Sequence, residues 1–319
     1  MGTKVLLIGD THVYPYANYN LFDEKDFRLN QFYKLMERLI EIGNEYNCEY
    51  LFNLGDFTHK PIMNPRTLAG VKTCFEILSK KWDKDHHLLI SGNHDLDGKS
   101  SSLQDKDSSL YVFNQFYTDM DHKIIQMNNK SLAFMNWTSD QDLSWIDKPV
   151  DYFFGHLTPY VEGAMFGQEI DWSKFKVGFA GDYHQPKTFN GKLHTTNVVI
   201  PHYISDSQDG SVVVLDIETG EWERVPTRKA GSFNHLRIFY DDVAVPDEDE
   251  YTVRVKRPLP TAKSQHIHGS INLDEVIENV VKSADKVETH NSIIKEVSSN
   301  EEVLSLNFLL KSLKVKNFR

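Results

Sequence analysis

The sequence has few cysteines and no long hydrophobic run. Among 319 residues only Cys48 and Cys74 are cysteines, and neither belongs to a Cys-x-x-Cys pair. We therefore expect two buried free thiols and a reducing environment, not a disulfide framework. No stretch of about 18 apolar residues is present, and the first residues lack the apolar segment of a signal peptide. These absences predict a cytoplasmic protein without a membrane partner.

Positive charge is also scarce. The chain has 35 lysines and arginines against 46 aspartates and glutamates, which gives a formal net charge of -11. Such an excess counts against binding nucleic acid through the whole surface, but it leaves room for a local basic groove or a metal site. Hydrophobic residues make up 40% of the chain and aromatic residues 12%, so a sizeable globular core is expected.

Strand-like and helix-like segments alternate in the first half of the chain. Apolar residues recur at helical spacing over residues 26–46 and 65–82, and short apolar runs typical of strands flank both segments. This order predicts βαβ units and a parallel sheet. From about residue 111 onward strand-like runs dominate, at residues 123–127, 131–137, 177–180, 198–201 and 212–217. The sequence thus predicts an α/β fold in which a second sheet packs on the first.

A change of pattern near residues 226–231 indicates a domain boundary. Beyond it, strand-like runs at residues 234–240 and 251–256 precede a helix predicted over residues 272–284. We predict a main domain at residues 1–228, a small α+β domain at residues 229–298 and a C-terminal helical segment at residues 299–319.

Five short clusters of Asp, Asn and His follow strand-like runs in the first part of the chain. They are Gly9-Asp10-Thr11-His12, Gly55-Asp56-Phe57-Thr58-His59, Gly92-Asn93-His94-Asp95, Gly155-His156 and Gly181-Asp182-Tyr183-His184. Because open sheets present chemistry at the carboxyl ends of their strands, we expect these side chains to gather at one edge. Carboxylates and imidazoles gathered in this way can hold a pair of divalent metals.

The clusters differ in the ligands that they offer. Asp10 and His12 alternate along an extended segment, so both can bind one metal. Asp56 is placed to bridge two metals, and Asn93 with His156 can complete the second. Hard oxygen and imidazole ligands suit Mn²⁺, Fe²⁺ or Zn²⁺. Two such metals favour hydrolysis of a phosphate ester, which is the reaction that we predict.

Each of these residues alone has a simpler explanation. A single aspartate or asparagine after a strand is usually a turn former or a helix cap. A single histidine is usually held by ordinary hydrogen bonds, and we assign that role to His86, His87, His202, His266, His268 and His290. The five clusters together favour the metal site, because their order, their strand context and their glycines agree.

The ordered motifs Asp-x-His, Gly-Asp, Gly-Asn-His-Asp, Gly-His and Gly-x-x-His resemble those of the calcineurin-like metallophosphoesterase superfamily. The resemblance covers residues 4–220, and Gly-Asn-His-Asp after a strand is its most specific element. It implies a two-sheet α/β metallophosphoesterase sandwich flanked by helices, with a dinuclear centre at the strand ends. Gly-Asp-x-x-His followed by Gly-Asn-His-Asp is similar to the DNA repair nucleases of the SbcD type, including phage recombination nuclease subunits.

The resemblance implies a role for each matching residue. One metal is expected on Asp10, His12, Asp56 and His184, and the other on Asp56, Asn93, His156 and Asp182. His94 would donate a proton to the leaving oxygen or contact the scissile phosphate, and His59 would assist it. The family usually has Gly-His-x-His in the last cluster, whereas this chain has Asp182 at the first of those histidines. We hypothesise that Asp182 is a ligand, and its negative charge favours Mn²⁺ or Mg²⁺ over softer ions.

The main prediction is a DNA exonuclease or endonuclease with two divalent metals, with Mn²⁺ favoured over Mg²⁺, Fe²⁺ or Zn²⁺. By resemblance, residues 229–298 form a capping domain on DNA and residues 299–319 bind an SbcC-type ATPase. The protein is expected to form a homodimer and to act at the DNA of the cytoplasm, as a cellular or phage-encoded enzyme. Candidate DNA-binding residues are Arg228, Lys229, Arg254, Lys256 and Arg257. The same charges are equally consistent with a solvated strand edge.

Two other functions are compatible with this fold. A phosphodiesterase for cyclic nucleotides would use the same metals, but it needs neither a capping domain nor a partner-binding tail. A scaffold that had lost its metals would not need the nearly complete ligand set. Incubation with Mn²⁺ and either linear DNA or cyclic nucleotides would separate the three.

Overall fold

A computed structural model describes most of the first 245 residues of the chain. The described residues are 2–15, 20–21, 24–96, 109–138, 141–160, 169–203, 205–230, 232–245 and 252–255. The chain divides into two compact units. Unit 1 contains Met1–Tyr14, Phe32–Ile200 and Asp209–Phe233, and unit 2 contains Pro15–Gln31, Pro201–Gln208 and Asn234–Arg319.

The described residues are mainly strands. In chain order the elements are β1 (Lys4–Ile8), β2 (Asn20–Leu21), β3 (Glu24–Lys25), α1 (Phe27–Glu45), β4 (Cys48–Leu54), α2 (Pro65–Leu78), β5 (His87–Ile90), a 3-10 helix (Ser109–Phe113), β6 (Thr118–Asp119), β7 (Lys123–Met127), β8 (Lys130–Met135), β9 (Val150–His156), β10 (Phe175–Gly181), β11 (Thr188–Phe189), β12 (Leu193–Thr195), β13 (Ser211–Asp216), β14 (Trp222–Pro226), β15 (Arg237–Tyr240) and β16 (Thr252–Val255).

The first sheet has six strands in the order β14-β13-β1-β4-β5-β6. Its strands β1, β4, β5 and β6 are parallel, while β13 and β14 add an antiparallel hairpin beside β1. Ile8 pairs with Asn53, and Leu54 pairs with Ile90, so the parallel strands end at nearly the same level. The segments that follow β1, β4 and β5 therefore emerge at one edge of the sheet.

The second sheet also has six strands, in the order β11-β12-β10-β9-β8-β7. Strands β8, β9, β10 and β12 are parallel, and Gly181 at the end of β10 pairs with His156 at the end of β9. The last two of the five clusters thus emerge side by side.

The two sheets pack face to face around an apolar core. That core combines Phe52, Leu54 and Ile90 of the first sheet with Phe134 and Phe154 of the second, and all five are buried. The Phe52 ring lies 5.2 Å from that of Phe134 and 5.1 Å from that of Phe154. Burial of these aromatic faces holds the sheets together. The predicted two-sheet α/β sandwich is confirmed, and helices α1 and α2 are those predicted at residues 26–46 and 65–82.

Helix α2 starts as predicted but ends four residues earlier. The Asn64 side chain accepts a hydrogen bond from the Thr67 amide at 2.9 Å, which caps the helix, and Pro65 opens its first turn. After Leu78 the chain turns, yet Trp82 remains fully buried and its indole N–H donates to the Cys48 carbonyl at 3.3 Å. Trp82 therefore continues the apolar pattern outside the helix. Both cysteines are buried and free.

The strand predicted at residues 198–201 is not present. This segment is buried, but its carbonyl groups are satisfied one at a time. The Ser211 amide donates to the Val198 carbonyl at 2.9 Å, and the Thr227 hydroxyl donates to the Val199 carbonyl at 2.7 Å. The apolar pattern of residues 198–201 thus reflects burial, and not the continuous hydrogen-bond ladder of a strand.

Within unit 2, β15 and β16 form a parallel pair. The Gln208 side chain accepts from the Ile238 amide at 2.8 Å and donates to the Tyr203 carbonyl at 2.9 Å. The buried Arg237 donates to the Thr252 hydroxyl at 3.0 Å. The proposed helix at residues 272–284 and the segment 299–319 lie outside the described residues, and the predicted domain limits stay a prediction. Among the described helices, none is long and apolar enough to cross a membrane.

Candidate metal centre

The segments after β1 and β4 run beside each other at the edge of the first sheet. The Asp10 amide donates to the Gly55 carbonyl at 3.1 Å, and the His12 amide donates to the Asp56 carbonyl at 2.8 Å. These bonds continue the parallel pairing past the strand ends. As a result, the first two predicted clusters face each other within unit 1.

Four site residues have left-handed backbone conformations. The φ angles are 53° at Asp10, 49° at His12, 52° at Asp56 and 83° at Asp182. This region costs energy for residues other than glycine, although aspartate tolerates it better than most, and such residues concentrate at functional sites. The sequence carries no signal for this conformation at His12.

Asp10, His12 and His184 form the first group of donors. One donor atom from each residue lies within 4.8 Å of the others. His184 Nε2 lies 3.7 Å from Asp10 Oδ1 and 3.3 Å from His12 Nε2. Asp10 and His12 are buried and His184 is partly exposed. Strands β1 and β10 belong to different sheets, so this group joins the two sheets at their ends.

Asp10, Asp56 and His156 form the second group, again with donor atoms within 4.8 Å of one another. His156 Nε2 lies 3.4 Å from Asp56 Oδ2, 3.2 Å from Asn93 Oδ1 and 3.8 Å from Asp182 Oδ1. All four residues expected to bind the second metal therefore surround one another at the end of β9.

Asp56 lies between the two groups. Its Oδ2 atom is 3.6 Å from His12 Nε2 and 3.4 Å from His156 Nε2, while its Oδ1 atom accepts from the His94 amide at 2.8 Å. One carboxylate thus faces a histidine of each group, as a bridging ligand must. Asp10 also belongs to both groups, which the sequence did not predict.

The hydrogen bonds of His156 leave one nitrogen for a cation. The Leu54 carbonyl can only accept, so His156 Nδ1 carries the hydrogen and donates to it at 2.7 Å. Nε2 then faces the oxygens of Asp56 and Asn93, so it needs either a proton or a cation between it and them. Asp10 Oδ2 is buried without a hydrogen-bond partner among the described residues. A divalent cation satisfies both demands, so these residues fit the metal pair.

The charges of the centre are strongly coupled. Burial raises the pKa of Asp10 to about 6, although His184 and His156 oppose that rise. Burial would also raise the pKa of Asp56, but the charges and hydrogen bonds of His156 and His94 hold that pKa below its usual value. Burial opposes charge on His156, yet Asp56, Asp10 and Asp182 raise its pKa well above the usual value. The buried carboxylates that favour a protonated imidazole would also attract a metal cation to the same place.

Asp182 is held by a threonine that sequence reasoning did not single out. The Thr158 hydroxyl donates to Asp182 Oδ2 at 2.5 Å, and Asp182 Oδ1 is the atom that faces His156. The Asp182 amide also donates to Asp10 Oδ1 at 2.9 Å. The carboxylate that replaces the family's histidine is thereby directed with one oxygen toward the second group.

His94 and His59 lie beside the two donor groups. Their rings stack at 5.2 Å, and His94 Nδ1 donates to the His59 carbonyl at 2.9 Å. The His12 ring lies 4.7 Å from that of His94, and one nitrogen from each of these three histidines lies within 4.8 Å of the others. Since His94 Nδ1 is engaged by a carbonyl, Nε2 is the nitrogen left to serve a substrate.

Asp95 ties the two loops that carry these residues. Its Oδ1 accepts from the Thr58 amide at 2.8 Å and the Thr58 hydroxyl at 2.9 Å, and its Oδ2 accepts from the Gly92 amide at 3.0 Å and the Phe57 amide at 3.2 Å. Burial, and then the charge of Asp56, raise the pKa of Asp95 to about 6. The motif Gly92-Asn93-His94-Asp95 does not by itself indicate this role for Asp95.

Two glycines allow the close packing of the centre. Gly55 has a φ of 89°, and a Cβ atom there would lie 2.5 Å from His156 Nδ1. A Cβ atom on Gly92 would lie 2.1 Å from Asp56 Oδ1. Any larger residue at either position would displace a donor.

Three of the five candidate DNA-binding residues lie among the described residues. Arg228 is partly buried and Lys229 is exposed, and both follow β14. Arg254 belongs to β16, while Lys256 and Arg257 lie outside the described residues. Their role in binding stays a prediction.

A two-sheet α/β sandwich with carboxylate, amide and imidazole donors at its strand ends defines a metal-dependent phosphoester hydrolase. The calcineurin-like phosphoesterase family matches residues 3–205. The chain belongs to this family. No curated protein sequence matches the chain.

Several solved structures are similar in fold. TT1561 of Thermus thermophilus is 11% identical, with a TM-score of 0.44 over 72% of this chain and 100% of that chain. A novel archaeal phosphodiesterase is 14% identical, with a TM-score of 0.38 over 70% of this chain and 99% of that chain. The Pseudomonas putida nuclease MPE is 19% identical, with a TM-score of 0.31 over 60% of this chain and 66% of that chain. At these values the similarity carries no argument about substrate.

Proposed function

We propose that the protein is a DNA nuclease of the SbcD type, which hydrolyses phosphodiester bonds with two divalent metals, Mn²⁺ being the expected ion. The observation that carries this proposal is the convergence of seven candidate ligands and two further histidines at the ends of β1, β4, β5, β9 and β10. The ligands are Asp10, His12, Asp56, Asn93, His156, Asp182 and His184.

The residues of the centre have separate tasks in this proposal. When bound, the metals would supply positive charge to the phosphate oxygens and lower the pKa of an attacking water. In hydrolysis the water loses a proton to solvent and its oxygen bonds to phosphorus, the bond to the leaving oxygen breaks, and that oxygen takes a proton. We assign this proton to His94 Nε2, because Nδ1 is held by the His59 carbonyl. His59 fixes the imidazole of His94 through this bond and through ring stacking.

Preference for DNA is supported by the motifs Gly-Asp-x-x-His and Gly-Asn-His-Asp. Arg228, Lys229, Arg254, Lys256 and Arg257 would contact the phosphate backbone. Residues 229–298 would cap the site, and residues 299–319 would bind an SbcC-type ATPase. The enzyme would act as a homodimer.

The test is hydrolysis of linear DNA and of cyclic nucleotides by the full chain, with Mn²⁺ and with a chelator. We expect Mn²⁺-dependent cleavage of DNA, and a loss of roughly a hundredfold or more in His94→Ala with its metal content retained. The matched control is His86→Ala, a histidine outside the centre, which should retain activity. Cleavage of cyclic nucleotides alone would replace the nuclease by the small-substrate phosphodiesterase, and retained DNA cleavage by His94→Ala would overturn the assigned acid.

The partner is tested separately. A chain that ends before Glu301 should no longer co-purify with an SbcC-type ATPase while it still hydrolyses small phosphodiesters. Co-purification of that shortened chain would contradict the role of residues 299–319.

A further inference from the structure

A row of side chains leads from His94 to the surface of unit 1. The His59 ring stacks on that of His94 at 5.2 Å, and the Tyr14 ring lies 5.4 Å from that of His59. The Lys60 ammonium lies over the Tyr14 ring, 5.1 Å from its centroid. His59 is buried, Tyr14 is partly buried and Lys60 is exposed. The row therefore begins at the proposed general acid and ends in solvent.

Lys60 offers a positive charge and Tyr14 an aromatic face, and neither belongs to the metal centre. Among the described residues no carboxylate lies within ion-pair distance of the Lys60 ammonium, which makes a cation–π contact with the Tyr14 ring. In a chain with a net charge of -11, an unpaired cation beside an acidic centre favours an anionic ligand. A tyrosine face favours a planar ligand such as a nucleobase.

The pair is also anchored to the catalytic loops. Thr58, two residues before Lys60, donates its amide at 2.8 Å and its hydroxyl at 2.9 Å to Asp95 Oδ1. Asp95 fixes the loop that carries His94, as described above. The position of Lys60 relative to His94 is thus set by hydrogen bonds and not by a free loop end.

We propose that Tyr14 and Lys60 form a subsite for the nucleotide next to the scissile phosphate, with Lys60 on a neighbouring phosphate and Tyr14 against a base. This inference rests on the proposed function and narrows its substrate to a nucleotide chain that extends beyond one phosphodiester. Single-stranded nucleic acid is bound in this way elsewhere, by cations that follow the backbone and aromatic faces that stack on bases.

Two substrates separate the subsite from the metal centre. Methyl 4-nitrophenyl phosphate occupies only the scissile position, whereas a short single-stranded oligonucleotide reaches the subsite. With Mn²⁺, Lys60→Gln and Tyr14→Leu should each lose roughly tenfold in kcat/KM on the oligonucleotide and less than about twofold on the small ester. Tyr14→Phe and Lys60→Arg keep the ring and the charge, and Lys84→Gln removes an exposed lysine elsewhere. All three should resemble the wild type.

Binding provides a readout that does not depend on catalysis. Anisotropy of a labelled oligonucleotide is measured against salt, with Ca²⁺ in place of Mn²⁺. Lys60→Gln should reduce the slope of log K against log salt by about 0.7, the value for one phosphate contact on a single strand. Tyr14→Leu should weaken binding without changing that slope.

The outcomes are distinguishable. Equal losses on both substrates, or an unchanged salt slope in Lys60→Gln, would overturn the subsite while the phosphodiesterase stands. If the wild type hydrolyses neither substrate while Lys60→Gln still has the reduced salt slope, the proposed function is overturned and the subsite is supported.

Discussion

Two fully buried histidines of this protein have pKa values that are shifted in opposite directions. His87 has an exposed fraction of 1% and His156 of 0%. Burial lowers the pKa of His87 to about 3, so this imidazole is neutral at physiological pH. Burial acts in the same direction on His156, but the nearby aspartates raise its pKa well above the usual value. An equally buried imidazole is thus neutral at His87, whereas at His156 the neighbouring carboxylates favour its protonated form.

The difference lies in what surrounds each ring. His87, at the start of β5, has the ring of Phe75 at 5.8 Å and that of Tyr117 at 6.4 Å. His156, at the end of β9, has Asp56 Oδ2 at 3.4 Å and Asp182 Oδ1 at 3.8 Å. Desolvation decides the first case and opposite charge decides the second. Burial alone therefore does not mark a functional histidine, whereas burial among carboxylates at strand ends does.

The largest test removes the carboxylate that makes the two regions differ. In Asp56→Asn, His12 and His156 lose the charged oxygen that faces both of them. We expect the amount of metal bound per protein to fall below that of the wild type. The rate of phosphodiester hydrolysis should fall by at least roughly a thousandfold, because the carboxylate that faces both donor groups loses its charge. Metal analysis after desalting and a rate assay with Mn²⁺ measure the two effects.

The matched control for Asp56→Asn is Asp85→Asn, which alters an exposed aspartate outside the centre. It should keep both metal and rate. If Asp56→Asn also retained its metal content and its rate, the carboxylate would have no part in the centre, and the contrast between His87 and His156 would have no functional meaning.

Much of the fold could be predicted because its signals are local. The spacing of apolar residues indicated α1 and α2, and Pro65 marked the start of α2. The site could be anticipated because each cluster directly follows a strand, and parallel strands end at a common edge. Neither inference needed the packing of distant residues.

The remaining features depend on contacts that have no local signal. Asp95 acquires its role from amides 37 and 38 residues away in sequence. The left-handed backbone of His12 is supported by its bond to the Asp56 carbonyl, which a sequence pattern does not encode. Residues 198–201 are as apolar as a strand but bond singly to Ser211 and Thr227. In each case tertiary hydrogen bonding, and not local propensity, decides the conformation.

A second test concerns the pH dependence of stability that His87 causes. Its folded-state pKa of about 3 lies below the usual value of 6.5, so its contribution to stability is present above pH 6.5 and is lost as the pH falls toward 3. Between pH 7 and pH 5 the loss amounts to about 2 kcal/mol. In His87→Leu this loss should vanish, although the variant gives up a hydrogen bond to the Phe116 backbone that contributes about 1 kcal/mol at pH 7.

Urea unfolding of wild type and His87→Leu, at both pH values and with chelator present, measures the effect. Because the two proteins share every other titrating group, the change in their difference isolates His87. The gap in unfolding free energy should move by about 2 kcal/mol in favour of the variant at pH 5. A gap that stays constant with pH would mean that His87 does not resist protonation, and the two buried histidines would no longer contrast.

The smallest expected effect concerns Thr158, which directs Asp182 toward His156. Thr158→Val keeps the shape of the side chain but removes the hydroxyl donor, so Asp182 can turn away from the second donor group. We expect Mn²⁺ affinity to fall by roughly tenfold, as for other hydrogen-bond partners of metal ligands, with stability nearly unchanged. Calorimetric titration with Mn²⁺ measures this change, and Thr158→Ser should restore the affinity because it keeps the hydroxyl. If Thr158→Val and Asp182→Ala both bind Mn²⁺ like the wild type, Asp182 is not a ligand, and Asp56 and Asp10 are the only carboxylates of the second donor group.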